Sequence, residues 1–158
     1  IRGMIDQEGG RIHRLKYSDE HILYPASLFG RIYKTNKIDA LEALDLQCKI
    51  IANELNELGI NVNTSPVLDI PSGEESGVIG DRSFSKDPKV VSKIGDYCIK
   101  YFHSNKIGTV IKHIPGHGRA KADSHLELPE INTKEKLLEK DFFVKFRYLY
   151  QTFFLMLF

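Results

Sequence analysis

Helical and extended segments alternate along this chain, and that alternation constrains the fold more than any other feature. Residues 36–58 carry apolar side chains at alternating spacings of three and four, which is typical of one stripe of an amphipathic helix. The stripe comprises Leu41, Leu44, Cys48, Ile51, Leu55 and Leu58. Gly59 follows, where a left-handed helix cap costs least. Residues 60–70 are rich in β-forming side chains and predict a strand that ends at Pro71.

A second helix and strand follow in the same order. Asp87 as N-cap and Pro88 at the first helical position predict a helix over about 88–104. Its apolar stripe comprises Val91, Ile94, Cys98 and either Tyr101 or Phe102. Residues 107–114 predict another short strand, and a third helix is predicted from Thr133 to Asp141. This alternation predicts an α/β fold with a parallel sheet, in which ligands bind at the carboxyl ends of the strands.

The charge and the cysteines exclude several classes of protein. The chain has 22 basic and 21 acidic residues and a net charge of +1, so no charge argument favours nucleic acid or an anionic membrane as a partner. Cys48 and Cys98 alone cannot form a disulfide framework or a zinc site, and we expect buried thiols in a reducing compartment. The uncharged run 148–158 is shorter than the roughly 20 apolar residues of a membrane span. No metal-binding or phosphate-loop motif is present.

Four polar clusters accompany the predicted strands. The first is DQEGGRIHR at residues 6–14, where paired glycines allow a tight turn between carboxylates and two arginines. Its alternative interpretation is a charged surface turn. The second is IGDRSF at residues 79–84, in which Arg82 can fork onto a pair of hydroxyls or a carboxylate. The alternative for Arg82 is a surface ion pair with Asp81 or Asp87.

The third cluster is KHIPGHG at residues 112–118. Lys112 and His113 close an apolar strand, where charged groups need partners, and they suggest donors to sugar hydroxyls or to a phosphate. The alternatives are a core histidine at position 113 and a plain turn at 116–118.

The fourth cluster is Asp123-Ser124-His125. The Asp123 carboxylate can hydrogen-bond His125, fix the tautomer of its imidazole and favour the protonated ring. A general acid/base requires that arrangement. The alternative is an ordinary polar loop.

In this order and spacing, the clusters resemble glycoside hydrolase family 3, and within it the bacterial β-N-acetylhexosaminidases. The matching segments are IDQEGGRIHRL, PVLDI, VIGDRSFSKDP, and KHIPGHG followed by DSHLELP. The resemblance covers about residues 4–141. Its most specific part is KHIPGHG with the downstream DSH.

The resemblance implies a TIM-type (β/α)8 barrel that cleaves terminal β-linked N-acetylglucosamine with retention of configuration. In bacteria it implies a cytoplasmic enzyme of peptidoglycan recycling, monomeric if complete, that acts on a GlcNAc-containing saccharide or muropeptide and needs no metal or organic cofactor. It makes His125 the proton donor and acceptor and Asp123 its orienting partner. The residues that match the sugar contacts of the family are Asp6, Arg14, Arg82, Lys112 and His113.

Two features depart from the family pattern. The family's nucleophile is an Asp in an SDD-type motif downstream of DSH; this chain has no such motif, and Asp141 cannot serve because of its position. A (β/α)8 barrel takes about 250 residues. The 158 residues are therefore expected to hold only about five strand-helix units of a partial N-terminal barrel domain, truncated at both ends.

These departures keep two other hypotheses open. One is a catalytically dead remnant without the nucleophile, at most a weak GlcNAc binder. The other is an interaction module that docks through the aromatic tail, residues 142–158.

Overall fold

The structure, a computed structural model, describes residues 3–15, 22–71, 77–114 and 116–119, together with Lys136 and Glu139. The elements in chain order are β1 (Gly3–Ile5), β2 (Gln7–Gly9), β3 (Ile12–His13), α1 (Ala26–Thr35), α2 (Lys37–Glu57), β4 (Ile60–Asn63), a 3₁₀ turn (Gly80–Arg82), α3 (Pro88–Ser104) and β5 (Gly108–Thr109). Asp123, His125 and the tail 142–158 lie outside the described residues. So does the helix predicted over 133–141, except that Lys136 and Glu139 are helical.

Three of the strands form a parallel sheet in the order β1-β4-β5. Ile5 of β1 pairs with Asn63 of β4, and Asn63 pairs with Thr109 of β5. Parallel neighbours need crossover connections, which α1 and α2 supply between β1 and β4 and α3 supplies between β4 and β5. The predicted α/β fold with a parallel sheet is confirmed for β1, β4 and β5.

Both predicted strands are shorter in the structure than in the sequence pattern. The strand predicted over 60–70 ends at Asn63, and Pro66 follows, which has no backbone N–H to donate to the sheet. The chain nevertheless continues beside the residues after β5: Lys112 N donates to Pro66 O (3.3 Å), and Leu68 N donates to Lys112 O (2.6 Å). This pairing brings the end of the 64–70 segment next to Lys112 and His113.

The two predicted helices form close to their expected bounds. The helix predicted over 36–58 is α2, and Asn36 is its N-cap, because its side-chain oxygen accepts from the N–H groups of Ile38 and Asp39. Gly59 has a φ of 71°, as expected for a left-handed cap. In α3, Asp87 caps the first turn by accepting from Lys89 N at 2.9 Å.

Helix α1 was not predicted from the sequence. It follows Pro25, and its apolar side chains Leu28, Phe29 and Ile32 recur at helical spacing. The extended conformation of Asn36 (φ −142°, ψ 106°) separates α1 from α2. The pattern analysis missed the ten-residue α1 because the stronger stripe begins directly after it.

The core lies between the helices and one face of the sheet. The α2 stripe is buried over Leu44, Cys48, Ile51 and Leu55, whereas Leu41 is half-buried and Leu58 is exposed. The α3 stripe is buried at all four positions, with Phe102 rather than Tyr101 as the fourth.

The two cysteines meet in this core. Both are free and buried, as predicted, and their Sγ atoms lie 3.9 Å apart. Burial, and then the neighbouring Cys98, raises the pKa of Cys48 well above its ordinary value. None of the helices in the described part of the chain is long and apolar enough to cross a membrane.

Candidate functional site

A small hairpin carries the first polar cluster. Strands β2 and β3 pair antiparallel, and Gly9 (φ 94°) and Gly10 (φ 57°) make the turn between them in conformations that favour glycine. The hairpin is joined to β4 through the fully buried side chain of Asn63, which bonds to the backbone of Gln7. Gln7 N donates to Asn63 Oδ1 (3.0 Å), and Asn63 Nδ2 donates to Gln7 O (2.9 Å). The first cluster is therefore partly buried, and its interpretation as a charged surface turn is wrong.

The hairpin places two carboxylates against two cations from distant parts of the chain. Lys112 Nζ lies 2.6 Å from Asp6 Oδ1 and 2.6 Å from Glu8 Oε1. The Arg82 guanidinium donates to both oxygens of Glu8, each at 2.9 Å. We call these four residues the ion network. Thr64, directly after β4, also donates its hydroxyl to Asp6.

The members of the ion network differ in exposure. The side chains of Glu8, Arg82 and Lys112 are 7%, 12% and 14% exposed, whereas that of Asp6 is 46% exposed. Asp6 is therefore the carboxylate within reach of a ligand, and Glu8 is committed to holding the two cations.

The pKa values of both carboxylates are lowered. Burial raises the pKa of Glu8, but Arg82 and Lys112 outweigh that effect. Burial likewise opposes the hydrogen bonds from Lys112 and Thr64 that lower the pKa of Asp6. Burial lowers the pKa of Arg82, and its bond to Glu8 more than restores it. Asp6, Glu8 and Arg82 are therefore charged at neutral pH.

A bonded pair of side chains, Asp69 and His113, adjoins the ion network. Asp69 is fully buried, and its Oδ2 lies 2.5 Å from His113 Nδ1. Its charge also acts on Arg82. The side chain of His113 is 34% exposed and is held by this carboxylate, so the alternative of a core histidine is wrong.

Four of the predicted sugar-contact residues are thus brought together: Asp6, Arg82, Lys112 and His113. The fifth, Arg14, is exposed, and its side chain forms no hydrogen bond or ion pair within the described residues. Of the named effects on the pKa of Asp6, the positive charge of Arg14 is the smallest. Asp123 and His125, the predicted catalytic pair, lie outside the described residues.

Two residues of the site were missed as site residues in the sequence analysis. Glu8 and Asp69 both stood inside quoted motifs, yet neither received a role. The available signal for Asp69 was a carboxylate at the end of the apolar run PVL.

The alternative interpretation of Arg82, a surface ion pair, is also wrong. Arg82 pairs with Glu8, 74 positions earlier, and not with Asp81 or Asp87. Asp81 is instead bonded to Arg11 at 3.0 Å.

The described residues of the site can donate and accept hydrogen bonds. Among them, no group of three or more His, Cys, Asp or Glu side chains is arranged to hold a metal ion. The exposed Asp6 carboxylate accepts hydrogen bonds, and the cations beside it can donate. This combination suits a neutral, hydroxyl-rich ligand.

Comparisons with known proteins identify the family. A family model described as "Glycosyl hydrolase family 3 N terminal domain" matches residues 3–153. Beta-hexosaminidase A of Pseudoalteromonas piscicida is 37% identical over 139 residues, which cover 87% of this chain and 23% of that relative. Beta-hexosaminidase of Xanthomonas campestris pv. campestris (strain B100) is 35% identical over 125 residues, covering 78% of this chain and 36% of that relative.

Solved structures agree. Native NagZ from Neisseria gonorrhoeae superposes with a TM-score of 0.82 at 31% identity, covering 94% of this chain and 43% of that one. The same NagZ in complex with N-trifluoroacetyl-D-glucosamine gives a TM-score of 0.81 at 31% identity, covering 94% and 42%. The chain spans less than half the length of each of these three proteins.

The structure has a parallel α/β sheet with charged side chains beyond the carboxyl ends of its strands, and the chain matches this family model. Together these findings define a protein of the glycoside hydrolase class. The chain belongs to glycosyl hydrolase family 3 and corresponds to its N-terminal domain. The resemblance stated from the motifs is thereby confirmed.

Proposed function

We propose that residues 1–158 are part of the (β/α)8 barrel domain of a β-N-acetylhexosaminidase. The parallel order β1-β4-β5 with helical crossovers supports a barrel segment. Relatives named beta-hexosaminidase support the reaction, and the NagZ complex with a glucosamine derivative supports the class of ligand.

In this proposal, the ion network and His113 bind the terminal GlcNAc. Asp6 accepts hydrogen bonds from sugar hydroxyls, while Lys112 and Arg82 supply positive charge and donors beside it. The observation that carries the proposal is the convergence of Asp6, Glu8, Arg82 and Lys112, up to 106 positions apart, beyond the ends of parallel strands. Arg14 is the remaining proposed contact, at the edge of the site.

The proposed reaction is retaining hydrolysis, with His125 as general acid and then base and Asp123 as its orienting partner. An imidazole titrates near neutral pH, so one ring can perform both proton transfers. The proposed setting is peptidoglycan recycling in the cytoplasm, on a GlcNAc-containing saccharide or muropeptide, by a monomer without a cofactor.

Sugar binding is tested by titrating the full chain with GlcNAc and following amide shifts by NMR. Asp6→Asn keeps the shape of the side chain and removes the charge, and we expect about 10-fold to 100-fold weaker binding, the range for hydrogen bonds to a charged group. Asp39→Asn, at an exposed position in the first turn of α2, is the matched control and should bind as the wild type does. Equal affinities for the wild type and Asp6→Asn would contradict the proposed site.

Binding without turnover is the alternative function for these 158 residues. Hydrolysis of an aryl β-GlcNAc separates the two. If a preparation hydrolyses this substrate, its His125→Ala variant should be about 10²-fold to 10⁴-fold slower. A chain that binds GlcNAc but hydrolyses no faster than a blank is a binder only.

A further inference from the structure

Four nitrogen atoms lie within hydrogen-bond distance of the Asp69 carboxylate. It is fully buried, and both of its oxygens are in use. Oδ2 faces His113 Nδ1 at 2.5 Å and also accepts from His113 N at 3.3 Å. Oδ1 accepts from the backbone N–H groups of His117 (2.5 Å) and Gly118 (3.3 Å). An ionised carboxylate can only accept hydrogen bonds, so each of these four neighbours must donate.

We propose that Asp69 is a positioning residue that holds the neutral ring of His113 with its proton on Nδ1. The Nε2 atom then carries a lone pair and accepts a hydrogen bond from a hydroxyl or amide N–H of the ligand. This reverses the role expected from the sequence, in which His113 donates to the sugar. That Nε2 accepts a hydrogen bond from the ligand rests on the proposed function, whereas the assignment of the tautomer does not.

The described residues around His113 leave Nε2 available. Its side chain is 34% exposed, and within the described residues Nε2 has no hydrogen-bond partner. The ring of His117 lies edge-on to it, with the centroids 5.6 Å apart. Neither ring nitrogen of His117 has a partner among the described residues, so His117 does not compete for Asp69 through its side chain.

The same carboxylate also anchors the backbone that follows His113. A Cβ added to Gly118 would lie 2.3 Å from Ile70 O, so the two backbones are in direct contact. Asp69 therefore fixes the orientation of a ring on one side and the path of the 116–118 segment on the other. That segment precedes Asp123 and His125 in the chain by a few positions.

Asp69→Asn tests the tautomer because the asparagine has only one acceptor oxygen. Two backbone N–H groups, those of His117 and Gly118, donate on one side of the carboxylate, and one, that of His113 at 3.3 Å, donates on the other, so we expect the oxygen to face the pair. The amide NH₂ then faces His113 Nδ1, which must accept, and the ring proton moves to Nε2. The substitution keeps the size of the side chain, reverses the direction of the hydrogen bond to Nδ1 and removes the longer one from His113 N.

The readout is the pattern of ring ¹⁵N–¹H correlations of His113 in the full chain, recorded above the pH at which the ring protonates. We expect the Nδ1–H tautomer in the wild type and the Nε2–H tautomer in Asp69→Asn. Asp96→Asn, a buried aspartate on α3 bonded to Lys100, is the matched control and should leave His113 in its wild-type tautomer.

The outcomes are distinct. An Nε2–H tautomer in the wild type overturns the proposal, whether or not Asp69→Asn folds. An unchanged tautomer in a folded Asp69→Asn also overturns it. GlcNAc affinity is the second measurement, and we expect about a tenfold loss in Asp69→Asn and none in Asp96→Asn. If the wild type shows Nδ1–H but binds no GlcNAc, the positioning role stands and the proposed function fails.

Discussion

The helix interface and three of the four members of the ion network are mostly buried, yet different physics holds the two regions together. Between α2 and α3, Cys48, Leu55, Cys98 and Phe102 pack with at most 3% exposure. They come from two helices whose spacing patterns are visible in the sequence. The ion network joins side chains from β2, the 3₁₀ turn and the segments after β1 and β5. Packing depends on volume and area, whereas the network depends on the direction and charge of each partner.

This difference has a consequence for mutation. A core tolerates apolar replacements of similar volume, because dispersion and the hydrophobic effect are non-directional. A buried charge network does not tolerate the loss of one member, because its partner is left as an uncompensated buried charge. Four substitutions or conditions, given from the largest expected effect to the smallest, test whether the two regions differ in this way.

The largest loss is expected in the core, from Phe102→Ala. Phe102 is 1% exposed, and removing its ring costs the transfer free energy and leaves a cavity. We expect the free energy of unfolding in urea to fall by about 3–5 kcal/mol. The matched control is Phe102→Leu, which should cost less than about 1.5 kcal/mol if volume is what matters here. Similar losses for both variants would show that the site is not a simple packing position.

The next effect is expected in the ion network, from Glu8→Ala. Arg82 and Lys112 would lose their shared carboxylate while remaining 12% and 14% exposed. We expect a loss of about 3 kcal/mol of unfolding free energy, with reduced GlcNAc binding. Glu57→Ala, at an exposed position near the end of α2, is the control and should change stability by under about 0.5 kcal/mol. A loss equal to that of Glu57→Ala would mean that the network contributes nothing to stability.

These two positions also show what the sequence could predict. Phe102 follows from periodicity, because helical spacing within about ten residues determines which face is buried. The partners of Glu8 lie 74 and 104 positions away, and no local pattern determines such pairs. Family motifs supplied Asp6, Arg82, Lys112 and His113, but motif matching assigned no role to Glu8 or Asp69. Helix α1 was missed because the stronger stripe of α2 begins directly after it, and because no residue signals its start as strongly as Asp87-Pro88 signals that of α3.

Acid should weaken the ion network and leave the helix interface unaffected. The pKa of Glu8 in the folded chain is below its ordinary value of 4.5, so its contribution is fully present above pH 4.5. It is lost as the pH falls from 4.5 through the folded-state pKa, and Asp6 follows the same course from its ordinary value of 3.8. We expect the unfolding free energy to decline over this range, and less steeply in Glu8→Gln, in equilibrium urea titrations. Parallel declines in both proteins would exclude Glu8 as a source of the pH dependence.

The smallest effect is expected for an exposed ion pair on α2, which has the same chemistry as the network without its burial. Lys49 Nζ lies 2.5 Å from Asp45 Oδ2 at i,i+4 spacing, with Lys49 51% exposed. A double-mutant cycle with Asp45→Asn and Lys49→Gln should give a coupling energy of about 0.3–0.5 kcal/mol, decreasing with added salt. The same cycle on Glu8→Gln and Arg82→Gln should give a several-fold larger value that salt changes little, since both side chains are mostly buried. Equal couplings in the two cycles would mean that burial is not what distinguishes the ion network from an ordinary surface pair.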